Sequence, residues 1–164
     1  VRKKEGKQHS VRQKNKNPNG RYITVMDNSF FDNPGWKDAV CVIGRYPVDI
    51  QVDVRTLDEE KGKILNSMKL YKRIKIAWDD PFKDLTNHLL RLIKNIKPYK
   101  LMCYVLIGYW DNKSKDLYRV ETLRDLGISP FVMPYNKFDP YQKKFARWVN
   151  HKAIFKTVKW EDYK

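Results

Sequence analysis

An α/β fold built on a parallel sheet is the class this sequence predicts, on three observations. Five short apolar stretches alternate with five amphipathic helical ones, and parallel neighbours need a crossover, usually a helix. The spacing is regular, with 26 residues from Asp27 to Asp53 and 26 again from Asp53 to Asp79. The chain has 164 residues, 41% of them hydrophobic, which suffices for one domain with a core that needs no disulfides. The units share no sequence identity, so the period is architectural and not a duplicated repeat. An open doubly wound sheet and an arc of a barrel both satisfy the pattern.

Residues 1–20 are polar and basic and close on an Asn-Pro-Asn-Gly turn signal, so they read as a loop or arm ahead of a domain over 21–164. Residues 22–27 are short, apolar and β-branched and predict a first strand. Asn33 is placed to cap a helix with Pro34 at its first position and Trp36, Val40 and Ile43 on one face, ending at Gly44. Residues 48–54 predict a second strand. Thr56 and Glu59 form a capping-box pattern before a helix that turns Leu57, Ile64, Leu65 and Met68 inward. Residues 73–78 predict a third strand. Asp80 and Pro81 then start a helix with Leu85, Leu89, Leu92, Ile93 and Ile96 at helical spacing. Residues 101–108 are the most apolar stretch and predict a central fourth strand. Ser114 opens the next helix, with Leu117, Val120 and Leu126 inside and Gly127 closing it. Residues 130–134 predict a fifth strand. A last helix spans about 140–155, with Tyr141, Phe145, Trp148 and Val149 on its apolar stripe.

Composition narrows the functional classes. No apolar run is long enough to cross a bilayer and no signal-peptide pattern is present, so a soluble cytoplasmic protein is expected. The chain opens on Val1, which fits a processed protein or a piece of a longer one. Cys41 and Cys103 are expected as buried free thiols, and with His9, His88 and His151 scattered they cannot build a zinc site. The net charge is +15, and residues 1–20 with 137–164 carry +11 of it. A polyanionic partner such as nucleic acid explains that placement, and so does a solvated basic tail.

In parallel α/β folds ligands bind at the carboxyl ends of the strands, where loops and helix N-termini converge. All five expected strand ends are polar here. The first ends in Asp27-Asn28, and the second carries Gln51, Asp53 and Arg55 in alternation on one face. The third ends in Asp79-Asp80, the fourth in Gly108-Tyr109-Trp110, and the fifth in Met133-Pro134-Tyr135-Asn136. Asp80 reads as a helix cap and Asp79 as the better ligand. Asp53 and Arg55 suit either a buried ion pair or a site, and Trp110 either a site or a cover for the core. Asp27, Asp53 and Asp79 offer oxygen ligands to a magnesium ion. No glycine-rich phosphate loop follows the first strand, and neither a Walker A sequence nor a G-x-S-x-G elbow is present.

Several stretches carry a family resemblance. VRKKEGK at the start resembles the segment just after the last cysteine of the CxxxCxxC motif of radical S-adenosylmethionine (SAM) proteins. VMDNSFFDNPGW, QVDVRTLDEEK, IKIAWDD, YVLIGYW, RVETLRDLGISPFVMPYN and FARWVNHKAIFKTVKWEDY look like an uncharacterised branch of that superfamily carried by phages and mobile elements. The resemblance covers essentially the whole chain, through the order and spacing of these stretches. It implies a partial barrel of six βα units, of which five are present and the first strand and cluster loop are missing. Cys41 and Cys103 do not match the motif, so the three thiolates that hold a [4Fe-4S] cluster are absent.

By the same resemblance, Asp27 and Asn28 meet the methionine end of SAM, although the usual Gly-Gly-Glu is replaced. Gln51, Asp53 and Arg55 line the next strand, Asp79 meets the ribose, Gly108 lies beside the adenine, and Met133 and Tyr135 flank it. The implied parent is an enzyme that cleaves SAM reductively at a [4Fe-4S] cluster and acts on an unknown substrate, and the chain alone is expected to be inactive. Its open sheet edge predicts self-association. The rival expectation is a non-catalytic, basic nucleic-acid-binding α/β domain.

Overall fold

The computed structural model describes residues 19–27 and 29–164. The expected arm, through residue 18, and Asn28 lie outside the described residues. The described residues form five strands: β1 (Ile23–Val25), β2 (Val48–Ile50), β3 (Ile74–Ala77), β4 (Leu101–Ile107) and β5 (Ser129–Pro134). They alternate with α1 (Trp36–Ile43), α2 (Glu59–Ser67), α3 (Thr86–Leu92), α4 (Lys113–Asp125) and α5 (Pro140–Asn150), and α6 (Lys152–Thr157) follows. The fold is α/β with parallel sheets, as the alternation predicts. No helix of the described residues is long and apolar enough to cross a membrane.

Every strand pair is parallel. β1 pairs with β2, and β4 sits between β3 and β5. Bridges at Val48–Leu70 and Gln51–Lys75 join β2 to the β3 segment, with Val52 N–H donating to Lys75 O at 2.9 Å. Spatial order therefore follows chain order. Residues paired in register share a face, so the sheet separates into two sets. Val48, Ile50, Val52, Ile74, Ile76, Trp78, Leu101, Cys103, Val105, Ile107 and Val132 are at most 3% exposed. They form one core with Leu65, Leu89, Val120, Leu123, Phe145 and Val149 from the helices. The opposite set, Lys75, Ala77, Met102, Tyr104 and Leu106 with Phe131 and Met133, is half-buried or exposed.

Helix boundaries differ from the sequence reading wherever a loop offers several capping side chains. Asn33 does not cap α1; its Oδ1 accepts from Gly35 N at 2.9 Å, and the helix starts only at Trp36. Gly44 ends that helix in right-handed backbone, so no left-handed turn required it. The Thr56–Glu59 capping box does not form, because Asp58 caps α2 and Thr56 Oγ1 donates to Asp53 O at 2.9 Å. Asp80 opens a turn, not a helix, by accepting from Phe82 N at 2.9 Å, and Pro81 disfavours helical backbone at Asp80. The helix waits for Asp84, which takes Thr86 N at 2.9 Å. Asn112, not Ser114, caps α4. Gly127 closes it at φ +69 as expected. The last helix is two, divided at His151, which caps α6.

The second strand is shorter than its alternation suggests. Asp53 accepts from Arg55 N at 2.9 Å and bends the chain into a 3-10 turn over Val54–Thr56. Gln51, Asp53 and Arg55 are therefore not three alternate positions of one strand.

Candidate functional site

The carboxyl ends of β2 and β3 frame a cavity of about 320 Å³ lined by Gln51, Asp53, Arg55, Trp78, Asp79, Asp80 and Lys83, among others. The register joins β2 to β3 at Gln51–Lys75, so the segments leaving those strands meet. The 3-10 turn directs Arg55 back onto Asp53, with Nε donating at 2.9 Å and Nη2 at 2.5 Å. That guanidinium holds the Asp53 carboxyl below the usual carboxylate range. The Arg55 side chain is 57% exposed, so the pair is a solvated wall and not a buried ion pair. Asp79 closes the far side, and its Oδ1 accepts from Leu106 N at 3.3 Å. Trp78 is buried, and its Nε1 donates to Lys83 O at 2.8 Å, which ties the loop carrying Lys83 to the core.

A smaller cavity of about 240 Å³ adjoins it through Gln51 and includes Met26, Asp27, Asp49 and Lys75 in its lining. Asp49 and Lys75 pair across the open sheet face at 2.7 Å, both largely shielded from water. Asp27 accepts from Ser29 N at 2.8 Å.

Beneath the rim lies a fully buried arginine. Arg119 of α4 donates to Trp78 O at 2.6 Å, Asp79 O at 3.0 Å, Leu106 O at 2.8 Å and Asp116 Oδ1 at 2.6 Å. It thus ties the ends of β3 and β4 to one helix. Burial pushes the Asp116 carboxyl up, and Arg119 pulls it back. Gly108 ends β4 at φ +77, and Gln142 of α5 occupies the space a Cβ there would need. A turn and a close approach thus account for this glycine. Beyond it the rim is aromatic: Phe82 meets Trp110 at 5.8 Å, Trp110 meets Tyr109 at 4.9 Å, and Tyr109 meets Tyr135 at 5.0 Å. Trp110 is 46% exposed and does not cover the core.

Of the residues singled out from sequence, Gln51, Asp53, Arg55 and Asp79 share one cavity, and Asp27 lies in the adjoining one. Gly108, Met133 and Tyr135 line neither. The magnesium arrangement does not form: among the described residues no three His, Cys, Asp or Glu gather to hold a metal ion. Cys103 is buried as expected, whereas Cys41 is exposed on α1. Three features escaped the sequence reading. The Asp49–Lys75 pair was legible as lone charges in Val-Asp-Ile and Ile-Lys-Ile, and Arg119 as a base in an apolar helical stripe three residues after Asp116. Lys83 gave no signal apart from an ordinary loop lysine. No protein-family model, curated protein or solved structure matches this chain.

Proposed function

We propose that the cavity at the ends of β2 and β3 binds S-adenosyl-L-methionine as part of a radical SAM protein. The observation that carries this reading is the convergence of Gln51, Asp53, Arg55 and Asp79 on one cavity, at the end of the sheet where parallel α/β folds bind ligands. Its volume falls at the small end of the usual range for ligand pockets. Arg55 supplies charged donors for a carboxylate, and Asp53 and Asp79 supply acceptors for an ammonium group or ribose hydroxyls. Strand order that follows chain order, with helices packed on one face, supports an arc of a barrel. A doubly wound sheet reverses its order and covers both faces.

A [4Fe-4S] cluster does not fit the described residues. Cys41 is on an exposed helix position and Cys103 is in the core face of β4, and three thiolates are needed. Redox chemistry at such a cluster would need cysteines beyond these two.

Titration calorimetry with S-adenosylhomocysteine, a stable stand-in, tests the binding site. Saturable binding is expected, weakened about tenfold or more by Asp79→Asn or Arg55→Met, since charge-assisted contacts are lost, and unchanged by His151→Ala. Absence of saturable binding, or equal loss in the His151 variant, overturns the reading.

A further inference from the structure

The near-balance of charge in the middle of the chain conceals a separation between the two ends of the sheet. Segments 51–60, 78–84 and 108–116, which leave β2, β3 and β4, hold nine Asp and Glu against four Lys and Arg. Segments 19–22, 44–47, 67–73 and 93–100, which enter β1, β2, β3 and β4, hold eight Lys and Arg and no acid. Each entering segment also contributes one tyrosine: Tyr22, Tyr46, Tyr71 and Tyr99, between 36% and 62% exposed.

The register places these segments side by side. Ile23 pairs with Val48, Val48 bridges to Leu70, and Ile74 pairs with Leu101. Tyr22 and Tyr71 stack with ring centroids 3.7 Å apart and planes within 7°. Lys72 Nζ stands 5.4 Å from the Tyr71 ring. Among the described residues all ion pairs use other cations, and none of these eight has an acidic partner. Bases near helix C-termini complement the helix dipole, but that role does not call for an exposed ring at each of four strand entries.

We infer that this end of the sheet binds single-stranded nucleic acid, with Lys and Arg on the phosphates and the tyrosine rings stacking against bases. The surface lies at the opposite end from the strand-end cavity and stands independently of the function proposed for it. Exposed rings among the cations favour unpaired bases over duplex, whose bases are already stacked. The pattern stops at the fifth strand, where Asp125 precedes Gly127.

Fluorescence anisotropy with labelled oligo-dT and oligo-rU, in low and high salt, tests the surface. Arg45→Glu, Lys72→Glu and Lys97→Glu combined should weaken binding at least about tenfold and flatten the log–log salt slope by about 2. Reversing Lys143, Lys152 and Lys156 of α5 and α6 makes the same change in net charge and should alter affinity less than about threefold. Tyr99→Ala should weaken oligonucleotide binding without changing competition by heparin, a polyanion with no bases. Circular dichroism melts confirm that each variant is folded. Three results overturn the inference: no salt-sensitive binding to either oligonucleotide, equal loss in both triple variants, or binding confined to anionic phosphatidylserine vesicles. Equal loss of oligonucleotide and heparin binding in Tyr99→Ala removes the base-stacking role.

Discussion

On the face of the sheet that meets the helices, Ile74, Ile76, Leu101, Val105 and Ile107 show no exposed surface at all. On the other face, one position along each strand, Lys75 pairs with Asp49, and Phe131 and Met133 are 41% and 36% exposed. The same strands thus serve two regimes. Burial of a large aliphatic side chain contributes about 1.5–3 kcal/mol, so the helix face holds the fold together. The open face contributes little of that and is free to carry charge, rings and cavities. The difference teaches that position parity, more than hydrophobicity, decides which residues are sealed: Met102 and Cys103 are adjacent and comparably apolar, yet only Cys103 belongs to the sealed core.

The sharpest way to break this division is to strike the charge pair buried on the sealed side, Arg119 with Asp116. Arg119→Met leaves Asp116 buried without its partner and strips hydrogen bonds from four carbonyls, those of Trp78, Asp79, Leu106 and Lys115. We expect a loss of about 3–5 kcal/mol in urea unfolding, with Arg119→Lys recovering only part of it. Next comes a matched pair across the sheet. Ile76→Ala should cost about 2–5 kcal/mol, and Met133→Ala no more than about 0.5 kcal/mol. A large cost for Met133→Ala that grows with protein concentration would show that a second copy covers the open face. Smallest is the pH effect at the cavity. Asp53 has a folded pKa held below its unfolded value of about 3.9. Its contribution is therefore present above pH ~4 and is lost as pH falls through the folded pKa. The stability gap between the native chain and Asp53→Asn should shrink over that acid window. It should stay below about 1 kcal/mol at neutral pH, because Arg55 is solvated.

Periodicity carried the sequence reading furthest. Leu101–Ile107 is apolar at every position, and β4 does lie between two strands. The five strand–helix units and the inward helix positions followed from spacing alone. Caps were less legible because several loops offer competing side chains, and the backbone path, not the residue type, selects among them. Thr56, Asp80 and Ser114 all have cap chemistry, but Asp58 and Asn112 hold the positions from which a carboxylate or amide reaches the first turn. Gln51, Asp53 and Arg55 line one cavity, but a 3-10 turn, not strand alternation, brings the last two there. Arg119 stood out in sequence only as a base in an apolar stripe; its role did not, because its partners are mainly carbonyls, which have no sequence signature.

The two thiols differ in a way that reaches beyond packing. Cys41 faces solvent on α1. Cys103 is sealed in β4, where burial first and the nearby Asp79 second push its thiol up and keep it protonated. Thiolate is the reactive form. A disulfide reagent in excess therefore meets one sulfur in the native molecule and a second only after β4 opens, so the appearance of that second equivalent times the opening of the core.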